Sequence, residues 1–275
     1  MVPVNRTLKT RSNKDVRIWR YLDFPKFISM LDGNSLFFSN LRDLDDPYEG
    51  KLPEIDQMRY KKDILKAVDN IPQDFELPFT RDRLAELTYE DLLRLVERQR
   101  ALFLVNCWHI NDQESASMWD IYSSRNKGIA IQSTYTRLEE ALKKGDNKDV
   151  KIGIVKYRDY KKDKVHTPSL RKTPFTKRKS FEHEKELRAV ITLSYTEVFT
   201  AGKLVKRKDR WVTSQKFHEE KTVGQYRVIN LKKLLEKIYL SPNSEPWLND
   251  LVKSMVRKYS LDENLVIKSD LYSVK

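Results

Sequence analysis

Short stretches in which apolar and polar residues alternate recur along the chain and predict β-strands. Successive side chains of a strand point to opposite faces of a sheet, so a two-residue period marks a strand with one buried face. The pattern predicts strands at residues 16–22 (VRIWRYL), 36–39 (LFFS), 102–107 (LFLVNC), 128–134 (GIAIQST), 150–157 (VKIGIVKY), 187–193 (LRAVITL), 225–230 (QYRVIN), 238–242 (IYLSP) and 265–272 (LVIKSDLY). A hairpin is predicted within residues 194–215.

Apolar residues at three- and four-residue spacing predict helices between these strands. The first helix follows Asp23, a suitable N-cap, and has Pro25 in its first turn. Residues 54–100 contain two helical stretches that Pro72 and Pro78 separate. Further helices are predicted at 112–122, 136–144, 231–238 and 244–259.

This order of elements predicts an α+β fold. We expect a central, twisted and mostly antiparallel sheet, either continuous or split in two, with a helical insertion at about residues 54–100. At 275 residues the chain is near the upper limit of one hydrophobic core, and we interpret residues 1–275 as a single domain.

The stretch KSFEHEKELRAVITL (179–193) places charged residues beside an apolar strand. If the strand begins near Glu184, its period puts Glu184, Glu186 and Arg188 on one face and apolar residues on the other. Two neighbouring carboxylates raise each other's pKa, whereas an arginine lowers it, so this face is either an acid/base site or a compensated ion pair. Read as a helix, Glu184 and Arg188 form only a surface pair of about 0.3–0.5 kcal/mol.

Composition adds an excess of positive charge. The net charge is +13, which favours polyanionic partners such as nucleic acid. The excess is concentrated near the acidic stretch, where the candidate nucleic-acid-binding residues are Lys156, Lys172, Lys177, Arg178 and Lys179. A solvated face is the alternative for such a charge run.

Several classes of protein are not indicated. The chain has no Gly-rich phosphate loop, His-Glu-x-x-His motif or Gly-x-Ser-x-Gly elbow. Its single cysteine, Cys107, allows no internal disulfide, and we expect no metal site. No run is long or apolar enough to cross a bilayer and the amino terminus lacks a signal-peptide pattern, so we expect a cytoplasmic protein without a membrane partner.

Five segments together resemble a bacterial family catalogued as domain of unknown function 2971. They are YLDFPKFISMLDGNSLFFSNLRDLDDPYEG, NCWHINDQESASMWDIYSSRNKGIAIQST, VKYRDY, KRKSFEHEKELRAV and IYLSP, and they span nearly the whole chain. The occurrence of that family in bacterial and mobile-element genomes implies a role in conflict or defence.

A second resemblance, on shorter motifs, is to ADP-ribosyltransferases of the DarT and RNA 2'-phosphotransferase kind. It implies NAD as the cofactor, with catalysis by Glu184 or Glu186 on a late strand. Ser133 would end the serine-threonine strand of that fold. By the same resemblance, the candidates to hold the pyrophosphate are Arg17, Arg20 and Arg188, and Tyr21 or Trp119 would stack on the nicotinamide. The histidine that many such enzymes carry on the first strand is missing here.

Three hypotheses for function follow. The first is an NAD-using, ADP-ribosyltransferase-like toxin or phage-defence effector that modifies nucleic acid and has an antitoxin or defence-system partner. It requires the acids to face an open hollow beside Ser133 and Tyr21, whereas a closed salt-bridge lattice would indicate a scaffold. The second is a metal-dependent nuclease, with candidate residues Asp45, Asp46, Glu49, Lys179, Glu184 and Glu186. The third is a non-catalytic module that binds nucleic acid or a partner.

Overall fold

The computed structural model describes residues 15–122, 127–145, 147–163, 172–194, 198, 204–207, 210–213 and 224–273. The strands are β1 (Arg17–Asp23), β2 (Ser35–Asn40), β3 (Phe103–Ile110), β4 (Gly128–Thr134), β5 (Lys151–Ile154), β6 (Lys156–Arg158), β7 (Thr176–Arg178), β8 (Glu186–Thr192), β9 (Leu204–Arg207), β10 (Arg210–Thr213), β11 (Gly224–Val228), β12 (Lys237–Leu240) and β13 (Val266–Lys268). The helices are α1 (Phe24–Gly33), α2 (Glu54–Asp69), α3 (Arg81–Ala101), α4 (Ala116–Tyr122), α5 (Tyr135–Leu142), α6 (Leu231–Leu234) and α7 (Pro246–Lys258). Four 3₁₀ helices span Leu41–Asp43, Thr173–Phe175, Lys179–Glu184 and Glu263–Leu265.

Nine of the described strands form one sheet, which confirms the predicted α+β fold with a mostly antiparallel sheet. Within this sheet, β12 and β13 are the parallel pair. Strands β6 and β7 form a separate parallel pair, and β9 and β10 form the predicted hairpin. The remainder of the predicted hairpin segment, other than Ser194 and Val198, lies outside the described residues.

The sheet forks along β3. On one side, β8 pairs with β3 over Phe103–His109. On the other side, β2 pairs with the beginning of β3 and β1 pairs with its end. At the fork, the Arg20 guanidinium donates to the carbonyl oxygen of Cys107 at 2.8 Å. Despite the fork, these nine strands form one continuous sheet, the first of the two predicted alternatives.

One face of the sheet carries the main hydrophobic core. Alternate residues of β3 and β8, such as Leu104, Trp108, Leu187 and Ile191, are buried there. Helices α1, α5 and α7 cover this face with their apolar stripes. The apolar residues of the Glu-x-Glu-x-Arg strand therefore point into the core, as the alternation predicted.

The opposite face carries the aromatic and charged residues that form the candidate site. Register pairs Trp19 with His109 and Cys107 with Arg188. With the two-residue period, this register puts Tyr21, His109, Cys107, Glu186 and Arg188 on one face. Side chains from β1, β3 and β8, which are far apart in the sequence, therefore lie on the same face of the sheet.

Helices α2 and α3 lie between β2 and β3 in the chain, where the helical insertion was predicted. Thr80 caps α3 by accepting from the backbone N–H of Arg83. Few side chains of this pair are buried, among them Val68, Ala85 and Val96. Within the described ranges, no helix has the length and apolar character needed to span a bilayer.

Candidate active site

Five side chains, Glu49, Lys177, Glu184, Glu186 and Arg188, form what we call the charge network. Lys177 lies at its centre. Its Nζ donates to Oε2 of Glu184 and to Oε1 of Glu186, at 2.7 Å each, and lies 3.3 Å from Oε1 of Glu49. All five residues are buried, and Glu184 is the most exposed of them at 9%.

Arg188 closes the network from the sheet. Its Nη2 donates to Oε1 of Glu49 at 2.9 Å, its Nη1 donates to Oε2 of the same residue at 3.1 Å, and its Nε donates to Oε2 of Glu186. Nη1 also donates to the carbonyl oxygen of Pro174. This guanidinium is completely buried and its donors are engaged by protein acceptors, so it is not placed to hold a pyrophosphate as predicted.

Glu184 reaches the network from the end of a 3₁₀ helix rather than from the strand. The helix Lys179–Glu184 ends at Lys185, whose backbone has φ of 41° in the left-handed region, and β8 begins only at Glu186. The strand therefore does not include Glu184, which was the condition for placing all three charged residues on one strand face. The sharp turn at Lys185 lets both carboxyl groups reach the same lysine although they are two residues apart.

The two acids have opposite pKa shifts. Burial raises the pKa of Glu184 to about 7, and a hydrogen bond to Glu186 adds to the rise. Burial also acts to raise the pKa of Glu186, but Arg188 and Lys177 outweigh it and hold the pKa well below its ordinary value. Three carboxyl groups face two cations in the network, so one proton makes it neutral. Glu184 is the group that takes up this proton.

An aromatic group lies beside the charge network on the same face. The rings of Tyr21 and Trp119 meet edge to face at a centroid distance of 5.0 Å, and Trp119 approaches from α4. The hydroxyl of Tyr21 accepts from the backbone N–H of Ser115 at 2.9 Å. The indole Nε1 of Trp119 donates to Glu114 at 2.9 Å. Both rings are therefore fixed in place, and both are buried.

His109 connects the aromatic group with the acids. Its ring lies 6.4 Å from that of Tyr21, and His109 pairs across the sheet with Glu186. Burial lowers the pKa of His109, so its imidazole is neutral. Nδ1 lies 2.6 Å from the carbonyl oxygen of Glu184 and must donate to it, which leaves Nε2 as an acceptor. Among the described residues this buried Nε2 has no hydrogen-bond partner.

The predicted site residues fall into two groups. Tyr21, Trp119, Glu184, Glu186 and Arg188 come together on the second face, and Arg17 lies at the start of β1 with its Nη1 bonded to the carbonyl oxygen of Asp112. Ser133 does not join them. It pairs with Ile18 on the core side of the sheet, where its hydroxyl donates to the carbonyl oxygen of Leu234 at 2.6 Å.

The prediction that Glu186 is a catalytic residue also requires a correction. Its two carboxylate oxygens accept from Lys177 and Arg188, so it is held within the protein rather than presented to a substrate. For Glu49, Glu186 and Arg188 the arrangement is the closed salt-bridge lattice that a scaffold interpretation predicts. Ser133 does not lie beside the acids, so these residues do not form the open hollow that the first hypothesis requires. Of the two predicted catalytic acids, Glu184 has the more exposed side chain, at 12% against 5% for Glu186, and it is the one we retain as the candidate.

The predicted nucleic-acid-binding residues differ in how far they are exposed to solvent. Lys156, Lys172 and Lys179 are exposed. Lys177 is buried inside the charge network, so its prediction as a surface contact is wrong. Arg178 donates two hydrogen bonds to Asp46 and remains partly exposed. The part of the basic segment at 164–171 lies outside the described residues.

The structure adds two residues, Glu49 and His109, that were not predicted from the sequence as members of this site. Glu49 follows a turn after β2 and bonds to Arg188 across 139 residues, so no local pattern signals the pair. His109 lies near the end of β3, two residues after Cys107, and a single histidine in that position is only a weak signal in the sequence. Among the described side chains, no group of three or more His, Cys, Asp or Glu residues is arranged to hold a metal ion. Of the carboxylates named for a nuclease, Glu49, Glu184 and Glu186 converge on Lys177, and Asp46 pairs with Arg178.

Comparison of the chain with protein-family models, with curated proteins and with solved structures gave no match. Both resemblances described from the sequence therefore stay predictions.

Proposed function

We propose that the protein is an ADP-ribosyltransferase-like enzyme that cleaves the bond between nicotinamide and ribose in NAD, with Glu184 as its catalytic carboxyl group. The observation that carries the proposal is the pair of neighbouring acids whose pKa values are driven apart beside a fixed aromatic group. Paired carboxyl groups of this kind are a recurring basis for assigning acid and base roles. In this proposal Glu49, Glu186 and Arg188, which form the closed part of the charge network, hold Glu184 in position and take no part in the reaction.

The chemistry that Glu184 would perform follows from its pKa. A carboxyl group with a pKa of about 7 is partly ionised at neutral pH, which suits a general base. As the bond between ribose C1' and the nicotinamide nitrogen breaks, nicotinamide leaves with the bonding electron pair and positive charge develops on the ribose. The Glu184 carboxylate stabilises that charge and then takes the proton of the attacking hydroxyl, amine or water.

The other residues of the site have supporting roles in this proposal. Lys177 positions the Glu184 carboxyl group, and Glu186 adds to the rise in its pKa that burial causes. Tyr21 and Trp119 are buried, with 7% and 2% of their surface exposed, so they would order the site from within rather than stack on the nicotinamide ring. Arg17, which is only partly buried, would be the cation for the pyrophosphate, because the guanidinium of Arg20 is held by the carbonyl oxygen of Cys107. The role as a toxin or phage-defence effector, with an antitoxin or other partner protein, belongs to the same proposal.

Nicotinamide release from NAD by the purified protein tests the proposal. We expect Glu184→Gln to lower the rate by roughly 10²- to 10⁴-fold, because the amide cannot accept the proton. Glu182→Gln is the matched control, because Glu182 lies on the same 3₁₀ helix and is exposed. It should retain the wild-type rate. Folded wild-type protein that releases no nicotinamide and modifies no RNA, DNA or lysate protein would contradict the proposal.

A further inference from the structure

The loop between α2 and α3 exposes two aromatic rings at the end of the helical insertion. We call this loop, residues 70–80, the insertion tip. Phe75 and Phe79 keep 62% and 51% of their surface exposed there. A phenylalanine ring gains from leaving water, and aromatic side chains are enriched where two proteins meet. The insertion tip therefore has the composition of a docking surface.

The insertion tip is held in one conformation although it is exposed. The guanidinium of Arg81 donates to the carbonyl oxygen of Val68 at 2.6 Å and to that of Pro72 at 3.1 Å, so it ties α3 to the end of α2 and to the loop. The backbone N–H of Phe75 donates to the same carbonyl oxygen of Pro72 at 3.2 Å. A loop that is ordered in advance loses little conformational entropy when a partner covers it.

The charge of the insertion tip is opposite in sign to that of most of the chain. The tip contains the exposed acids Asp74 and Glu76 and no lysine or arginine, and the exposed acids Asp69 and Asp82 flank it. The whole insertion, residues 54–101, has eleven acidic and nine basic residues, a net charge of −2. Since the chain carries +13, all other residues, which we call the body, carry +15.

These charges determine which partner fits the insertion tip. The phosphates of a nucleic acid or of an anionic membrane would be repelled by Asp74 and Glu76, whereas a basic protein surface would be attracted. The two rings are exposed in the single chain, so its own body does not cover them. Contact between two tips would bring like charges together. A second copy of the chain, in contrast, offers a body with a charge of +15.

We propose that the insertion tip docks on the body of a second copy of this chain, with Phe75 and Phe79 as apolar anchors and with Asp74 and Glu76 facing basic residues. Two-fold symmetry lets each copy give one tip and receive the other, so the assembly closes as a dimer. This inference does not depend on the proposed enzymatic activity.

Analytical ultracentrifugation of the purified full chain, from about 1 to 100 µM at low salt, tests the inference. We expect a dimer whose dissociation constant rises at least about 30-fold in Phe75→Ser, because symmetry removes two ring contacts at once. The matched control is Leu95→Gln. Leu95 is 50% exposed on the same insertion but lies about 20 Å further along α3, so this variant should dimerise as the wild type does.

Salt dependence gives a second readout. Asp74→Asn combined with Glu76→Gln should weaken the dimer at low salt and reduce its sensitivity to salt, because exposed charges are screened as the ionic strength rises. Phe75→Ser should leave that sensitivity unchanged, because it removes no charge.

Photo-cross-linking identifies what the insertion tip contacts. A Phe75→benzoylphenylalanine variant, mixed as isotope-labelled and unlabelled copies, should form cross-links between copies that join the tip to the body. The inference is overturned if the wild type is a monomer over the whole concentration range or if Phe75→Ser dimerises like the wild type. Cross-links that join two tips would overturn it as well.

Discussion

At the scale of single residues, the decisive feature is that one carboxyl group of the charge network carries a proton near neutral pH. The two cations Lys177 and Arg188 balance two of its three acids. The third, Glu184, is the most exposed of the acids and has the raised pKa. Its titration therefore affects both stability and the proposed chemistry.

The first prediction concerns the pH dependence of stability. The folded pKa of Glu184, about 7, lies above its ordinary value of 4.5, so its stabilisation is complete below pH 4.5 and is lost as the pH rises through 7. Between those limits the free energy of unfolding of the wild type should fall by roughly 2–3 kcal/mol relative to Glu184→Gln. Urea unfolding of both proteins across this range measures the difference. Parallel curves would show that Glu184 titrates normally.

The second prediction concerns Arg188. Replacing it by methionine leaves Glu49 and Glu186 buried without their arginine, so we expect a loss of about 3–5 kcal/mol in the free energy of unfolding. Arg94→Met is the control, because Arg94 also pairs with two acids but is 61% exposed, and its loss should cost at most about 1 kcal/mol. Equal losses in urea unfolding would indicate that the network contributes no more than a surface ion pair.

At the scale of elements, two short segments bring the network to the sheet. The turn after β2 carries Glu49 beneath Arg188, and the 3₁₀ helix before β8 carries Glu184 over Lys177. Each depends on one backbone conformation in the left-handed region, at Gly50 with φ of 71° and at Lys185 with φ of 41°. These turns, rather than β8 alone, determine which acids meet.

Gly50 provides the prediction at this scale. A Cβ added there would lie 3.0 Å from Arg100 and from Leu41, in a conformation that disfavours L side chains. We expect Gly50→Ala to lower the free energy of unfolding by at least about 1–2 kcal/mol. Lys51→Ala, at the next and exposed position, should change it little. Thermal unfolding of both variants makes the comparison, and unchanged stability of Gly50→Ala would contradict the account of this turn.

At the scale of the whole molecule, the alternation of residues was enough to predict most of the described strands and the α+β class. It missed β7, and the strand predicted at 150–157 is divided into β5 and β6. The same alternation also indicated which face of the sheet Ser133 is on, although the site prediction did not use this. Ser133 has the same parity as the buried Ile129 and Ile131, which already places it on the core side. In contrast, the pairing of Glu49 with Arg188 depends on two segments meeting across the fold, and no local pattern encodes it.

The basic segment, residues 156–179, also shows what the sequence alone could not predict. The sequence identified the concentration of charge, but it could not distinguish Lys177, which three acids surround, from Lys179, which is exposed. Burial of a lysine among carboxylates depends on where β7 and the 3₁₀ helix lie against the sheet. Two lysines only two residues apart in the chain are thus a structural cation and a surface cation.

The pH profile of nicotinamide release tests the central claim most directly, because it links the titration of Glu184 to the reaction. With Glu184 as general base, the rate of the wild type should fall about tenfold per unit below pH 7 and level off above it. Glu184→Gln should lose this dependence together with most of the rate. A profile that is flat through pH 7, or one that Glu184→Gln leaves unchanged, would contradict the account.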